Sequence, residues 1–353
     1  MISKTTLFAV AVGASFAAAQ DESAVSPETL DGKLMYDSWC ARCHGMDGRG
    51  IVEGLELDTE VPDFTDCSFT TREPRKDWLA VIMDGGPARG LSMTMPAWSE
   101  SITQEQAEAI IGHIKTFCTE GGWPPGELNF RRAQVTTKAF PENEALLVPT
   151  YTRYETRTKL VYEHRTGPAG QWEVAIPLAS VPHLGGPGLG DVELAGKYAL
   201  FFDESSLSIL SGGLEIGVPT GSSSQGRDSG RWKVAPFVAG AIGLENLVFQ
   251  SSAKIEKPLG ESSSEFSYNL AVTLPFTREK KGLFSIVELN GVTDWPEGAT
   301  TLFFTPQLYL GLVKRGHLAF SLGVQIPFVG EKPFPYKIAG FFLWEYADGG
   351  LWW

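Results

Sequence analysis

After residue 144 the apolar residues fall on every second position. Trp172, Val174, Ile176 and Leu178 alternate with Glu173, Ala175, Pro177 and Ala179. Phe266, Tyr268, Leu270, Val272, Leu274 and Phe276 alternate with Ser267, Asn269, Ala271, Thr273 and Pro275. Leu318, Phe320, Leu322, Val324, Ile326 and Phe328 do the same against Ala319, Ser321, Gly323, Gln325 and Pro327. Successive side chains of a strand point to opposite faces, so each run is a strand with one wholly apolar face. Gly, Pro, Ser and Asp clusters mark the turns between runs, and they divide residues 145–353 into about twelve strands.

Such a face is either the core of a soluble sandwich or the lipid face of a membrane barrel. The strand charges Glu173, Glu193, Lys197, Glu215, Lys233, Glu288, Lys337 and Glu345 all take the opposite parity. A barrel requires this sorting, because a charge facing hydrocarbon costs about 2–4 kcal/mol at the midplane. A soluble sheet shows it too. Two further features favour the membrane. The rest of the polar face is mostly Ala, Gly, Ser, Thr and Pro, where a solvated sheet would carry more Lys and Glu. Aromatics such as Tyr198, Phe201, Trp232, Phe276, Trp295, Phe328 and Trp344 gather near strand ends, as in interfacial girdles. Phe341-Phe342-Leu343-Trp344 is apolar on both parities and breaks the pattern.

The earlier residues follow another rule. Residues 1–19 hold one Lys, an apolar run over 7–16 and then Ala17-Ala18-Ala19, which predicts a signal peptide cut after Ala19. Export brings a compartment where disulfides form. Residues 20–120 read as a domain of short helices joined by Gly- and Pro-rich loops. Residues 28–44 fit a helix with Leu34, Trp39 and Cys43 on one side. Residues 99–117 fit a second, with Thr103 and Gln106 as a capping box. Ala107, Ile110, Ile111, Ile114 and Phe117 follow there at helical spacing. Residues 121–144, with Trp123-Pro124-Pro125-Gly126, show no period and read as a linker to the barrel domain, 145–353. No later segment holds 18 consecutive apolar residues, so no transmembrane helix is expected.

Within the helical domain stands Cys40-Ala41-Arg42-Cys43-His44. In an exported chain this pattern predicts one covalently attached haem c. The two thiols add across the haem vinyl groups, and the adjacent His takes an axial position on iron. A redox CxxC would need a βαβ context. A zinc site would need two more ligands, and Cys67 and His113 are badly spaced for it. Met46, Met83, Met93, Met95 and His113 are candidates for the sixth ligand. Met95 is preferred because Pro96 stiffens the backbone beside it and the loop before it has no helical period; Met93 is second. Two cysteines remain, Cys67 and Cys118, and leftover cysteines of an exported domain usually pair.

The series Asp31-Gly32, Tyr36, Cys40-Ala41-Arg42-Cys43-His44-Gly45-Met46-Asp47-Gly48, Pro62-Asp63-Phe64-Thr65, Met95-Pro96-Ala97-Trp98 and Ile102-Thr103-Gln104-Glu105-Gln106 resembles a class I monohaem cytochrome c over residues 28–120. The resemblance implies an all-α domain with crossing terminal helices and a Pro62 loop lining the haem pocket. It carries Cys40 and Cys43 over as thioethers, and His44 and Met95 as axial ligands. Less specifically, 188–194 and 214–221 resemble segments of bacterial outer-membrane β-barrel proteins of about twelve strands, transporter-like or porin-like. The expected fold class is thus multidomain: an all-α cytochrome c domain, then an antiparallel transmembrane β-barrel.

The formal net charge is -13, and residues 21–127 hold 20 of the 42 acids but 8 of the 29 bases. This balance argues against nucleic acid and favours a redox partner protein with a basic face, besides outer-membrane lipid. The function expected is electron transfer at the outer membrane, with the haem domain in the periplasm. Two alternatives are a soluble periplasmic carrier and a transport pore with the cytochrome as a redox-sensing plug. A haem enzyme would need an open iron position, which Met95 fills. His164, His183 and His317 read as surface residues.

Overall fold

A computed structural model describes residues 31–57, 59–181, 186–221, 230–244, 247–277, 282–313, 316–348, 350 and 351. The expected signal peptide and His183 lie outside these residues.

Among its described residues the first region holds five short α-helices: α1 Gly32–Trp39, α2 Ala41–His44, α3 Cys67–Thr70, α4 Arg75–Asp84 and α5 Gln104–Ile114. Long loops join them, so the expected all-α description fits loosely. Asp31 caps α1, its carboxylate accepting from Lys33 N at 2.9 Å and Leu34 N at 3.1 Å. On α5 the capping box forms: Thr103 Oγ1 accepts from Gln106 N (3.3 Å) and Gln106 Oε1 from Thr103 N (2.8 Å). Behind it Ala107, Ile110, Ile111 and Ile114 enter the core with Met35, Tyr36, Phe64, Ile82 and Ile102. Helix α1 crosses α5 at Gly32, where an added Cβ would lie 2.0 Å from Ala109 O, so only glycine permits the approach. The single helix expected over 28–44 is broken at Cys40. Its expected apolar side is also corrected. Leu34 and Trp39 are exposed, because Met35 and Tyr36 form the stripe that meets the core.

The second region is a closed sheet. Its strands are β1 Glu144–Tyr151, β2 Thr156–Thr166, β3 Gly170–Ser180, β4 Gly188–Leu189, β5 Val192–Asp203, β6 Ser208–Val218 and β7 Lys233–Leu244. They continue as β8 Leu247–Pro258, β9 Ser264–Pro275, β10 Gly282–Trp295, β11 Thr300–Leu312, β12 Leu318–Val329 and β13 Lys337–Glu345. Each long strand pairs antiparallel with its neighbours, and β1 pairs with both β2 and β13. Two-residue β4 only adds to β3, so the ring has twelve strands. Among the described residues each of the twelve long strands is paired on both sides.

The ring turns a soluble protein inside out. Trp172, Ile176, Leu178, Phe266, Leu270, Leu274, Phe320, Leu322 and Ile326 are exposed. Ala175, Gln250, Ala271, Glu288, Thr305, Gln307 and Ser321 are buried inside. The ambiguous 341–344 run resolves the same way: Phe341 and Leu343 point inward, into a small apolar cluster with Leu146, Phe284 and Ile286. Among the described residues no helix is long and apolar enough to cross a membrane. Connections at the end where β1 begins are short, such as 167–169 and 245–246. The opposite end has the long ones, 181–191 and 219–232.

Residues 129–143, expected to be part of a linker, run through the barrel interior. Glu288 on β10 accepts from three successive backbone N–H groups: Gln134 (2.9 Å), Val135 (3.1 Å) and Thr136 (2.7 Å). It also accepts from Thr136 Oγ1 at 2.7 Å and Gln307 Nε2 at 2.6 Å. Lys197 donates to the carbonyls of Lys138 (2.8 Å) and Phe140 (2.9 Å), Ser211 to Ala139 (2.6 Å) and Gln250 to Arg131 (2.9 Å). The segment lacks a period because the wall satisfies its backbone where a regular element would satisfy its own.

Candidate haem site

Helix α2 sets Cys40, Cys43 and His44 on one turn, with Cys43 N and His44 N both donating to Cys40 O at 3.1 and 3.0 Å. Both thiols are unpaired. The His44 ring stacks on Phe64, with centroids 4.8 Å apart. Phe64 is held in turn by its N–H to Gly48 O at 2.7 Å. Burial pushes His44 down to about 4, so its imidazole is neutral at pH 7 and its ring nitrogen is free to bind metal. His44 Nδ1 is buried without a hydrogen-bond partner. Burial, then the neighbouring Cys43, pushes the Cys40 thiol up to about 12. A redox-active CxxC needs the opposite shift, toward thiolate. Two unpaired thiols beside a neutral imidazole fit a haem attached through both vinyl groups.

Cys67 and Cys118 form a disulfide, with Cα atoms 5.0 Å apart, which ties the start of α3 to the end of the domain. It removes Cys67 from any zinc set. His113 is packed edge-on against Tyr36 (5.3 Å) and Phe117 (5.0 Å). Tyr36, fully buried, donates its hydroxyl to Gly45 O at 2.8 Å and so fixes the backbone just after His44.

The methionines separate by environment. Met46 and Met93 are exposed, and Met83 packs against the helical core. Met95 is half-buried. Its loop folds back on Gly85 and Gly86, with Gly86 N donating to Met95 O at 3.0 Å. A Cβ on Gly86 would lie 2.3 Å from Ser92 O. Trp98 N to Ile82 O (3.0 Å) and Ser99 N to Met83 O (3.1 Å) pin the far side of the loop.

The helical domain sits on the short-turn end of the barrel. Arg72 pairs with Asp348 at 2.6 Å in a largely buried bridge. Arg75 N donates to Glu127 at 2.7 Å, and Arg75 Nε lies 3.6 Å from Glu204 in the β5–β6 turn. Gly126 lies against the Arg72 carbonyl, where a Cβ would be 2.3 Å away. Arg165 on β2 covers the Trp123 ring at 5.0 Å.

Sequence reasoning missed two things here. Glu288 shows its lumenal parity in sequence, but nothing there joins it to residues 134–136. His317, expected at the surface, is buried, with Nε2 2.9 Å from Gly350 O. The chain after β13 folds back over it.

Fold and site together define a cytochrome c domain joined to a twelve-strand β-barrel. Residues 27–114 match the family described as cytochrome c oxidase, cbb3-type, subunit III. The match spans a minority of the chain and describes that domain alone. The barrel resembles an outer membrane channel from Pseudomonas putida F1, at 11% identity and a TM-score of 0.48, over 61% of this chain and 99% of that one. It also resembles the KdgM porin, at 11% identity and a TM-score of 0.43, over 57% of this chain and 98% of that one. Likenesses this distant add nothing to the barrel's own geometry. No match was found among curated proteins.

Proposed function

We propose that this chain is an electron-transfer protein that carries one covalent haem c and is held at the outer membrane by its barrel. One turn bearing two unpaired thiols and a neutral histidine with a partnerless buried nitrogen carries the reading. Cys40 and Cys43 would be the thioethers, His44 and Met95 the axial ligands. A bound haem supplies a one-electron couple, and a Met ligand sets its potential above that of a second His. Phe64 orients His44, Tyr36 fixes the backbone behind it, and the Gly85–Gly86 fold presents Met95. Outer-membrane placement is supported by the apolar outside and polar inside of a closed ring. In such barrels the short turns face the periplasm, so the seat of the cytochrome domain on that end supports a periplasmic haem. The acidic residues Asp47, Glu53, Glu56, Glu60 and Asp63 favour a basic redox partner and a salt-sensitive encounter. The resting lumen is filled by residues 129–143 rather than by the haem domain, which favours electron transfer over a redox-sensing cytochrome plug.

Membrane fractionation with reduced-minus-oxidised spectra tests the placement. Haem is expected in the outer membrane, and haem confined to the soluble periplasm would defeat it. Met95→Ala is expected to abolish the Met–iron charge-transfer band and lower the potential, while Met93→Ala leaves both unchanged. The reverse outcome would move the ligand to Met93.

A further inference from the structure

We propose that residues 131–138 are a movable strap, and that the barrel becomes a pore for small water-soluble solutes when the strap is displaced. The proposal rests on the barrel spanning a membrane and is independent of the haem.

The strap differs in kind from its two ends. Before it, Leu128 is buried, and after it Ala139 and Phe140 are; all three pack with Ala169, Ala199, Ile209 and Ala239 near the short-turn end. These apolar contacts hold both ends of the segment. Between them the wall grips the strap through polar groups, both side chains on its backbone and buried ion pairs of Arg132 with Glu144 and Glu163 and of Lys138 with Glu144. Glu288 holds the N–H groups of residues 134–136, Ser252 Oγ that of Thr137 (3.2 Å), and Gln250 the Arg131 carbonyl. Gln134 reaches Ala339 O at 2.9 Å. Apolar packing in the centre includes Ala133 in the inward cluster and Arg131 over Phe284.

Water can replace each of these polar bonds and hydrate each of these charges once the strap leaves the wall, a substitute that apolar packing does not have. The wall beneath the strap is therefore already wettable. Glu288, Ser252, Gln250 and Gln307 would line water as readily as they line the strap. Toward the long-loop end the lumen is polar as well, with Asn269, Asn290 and Thr305 hydrogen-bonded to one another. Both charge signs are present there: Lys159 with Glu193 (2.6 Å), Lys254 with Glu215 (3.3 Å) and Lys233 with Glu256 (3.4 Å). A wall of paired charges predicts weak ion selectivity.

The test uses full-length, haem-loaded protein in planar bilayers bathed in KCl. Wild type is expected to open rarely. Glu288→Ala removes the acceptor of three strap N–H groups and is expected to raise the open probability at least about tenfold, as loss of charge-assisted bonds predicts. Adding Thr137→Cys with Ser252→Cys, bridged by oxidation, is expected to silence that variant. Reductant should reopen it while leaving Glu288→Ala alone unchanged. If Glu288→Ala does not insert, Ser252→Ala with Gln250→Ala serves, with a smaller rise in the same direction. An inserted variant with an intact haem spectrum but wild-type silence overturns the proposal. So does a bridged variant that still conducts. Because the haem spectrum is read on the same samples, failure of the pore is distinguished from failure of the electron-transfer reading.

Discussion

In the cytochrome c domain Ile110 and Ile111 are fully buried, whereas in the barrel Leu270 is 43% exposed and Leu322 is 50% exposed. Glu288, which a helical domain would put at its surface, is fully buried in the barrel. The same forces act on both regions. A helix buries its stripe against another helix because water surrounds it. The barrel turns its apolar face outward, as a hydrocarbon solvent would favour, and its backbone groups are paired around the ring, as a lipid environment demands. The comparison teaches that apolar periodicity marks a face, and that the solvent decides which way that face points.

The largest effect expected is in the helical core. Ile110→Ala leaves a cavity where α5 meets α1 and should cost about 2–5 kcal/mol. Chemical denaturation followed by the haem spectrum measures it. Barrel insertion should be unaffected. In the barrel, Leu270→Arg near the middle of β9 should cost about 2–4 kcal/mol when folding is measured in lipid. Asn269→Arg, one residue away but facing the lumen, should cost less. If the apolar face met water, arginine at half-exposed Leu270 would be nearly neutral, so a neutral result breaks the comparison.

The disulfide comes next. Cys67→Ser with Cys118→Ser opens a crosslink between residues 51 apart and should cost the cytochrome domain about 2–4 kcal/mol. Differential scanning calorimetry of the haem domain's transition reads it out. Its haem spectrum at room temperature should persist, since the haem turn keeps its own thiols outside the disulfide.

The legible parts of this molecule are those with a period or a fixed spacing. Alternation located the strands and their polar parity, and Thr103 with Gln106 located the start of α5. The Cys40–His44 spacing located the haem turn. Alternation did not decide between sandwich and barrel, because that depends on β1 meeting β13, a contact between residues nearly 200 apart in sequence. The strap was illegible for a related reason. Its bonds run to residues on distant strands, so residues 131–138 carry no pattern of their own. The break at Cys40 was hidden because the residues on both sides of it, 32–39 and 41–44, are helical. His317 was misplaced because its cover, the Gly350 carbonyl, comes from chain beyond the last strand.

The smallest effect asks whether the two regions fold as one. Thr103→Ala removes the Oγ1 acceptor of Gln106 N and should cost about 0.5–2 kcal/mol. The cap lies on α5, away from the barrel seat formed by Arg72–Asp348 and Arg75–Glu127. If the regions are independent, only the haem-detected transition shifts, and heat-modifiable migration of the barrel stays at its wild-type temperature. If the barrel transition falls with it, the buried Arg72–Asp348 bridge and the Gly126 contact couple the domains. A half-kilocalorie change at a helix cap would then be felt in lipid. Repeating the pair of measurements in Arg72→Ala separates the two outcomes, because loss of the bridge should remove any shared shift.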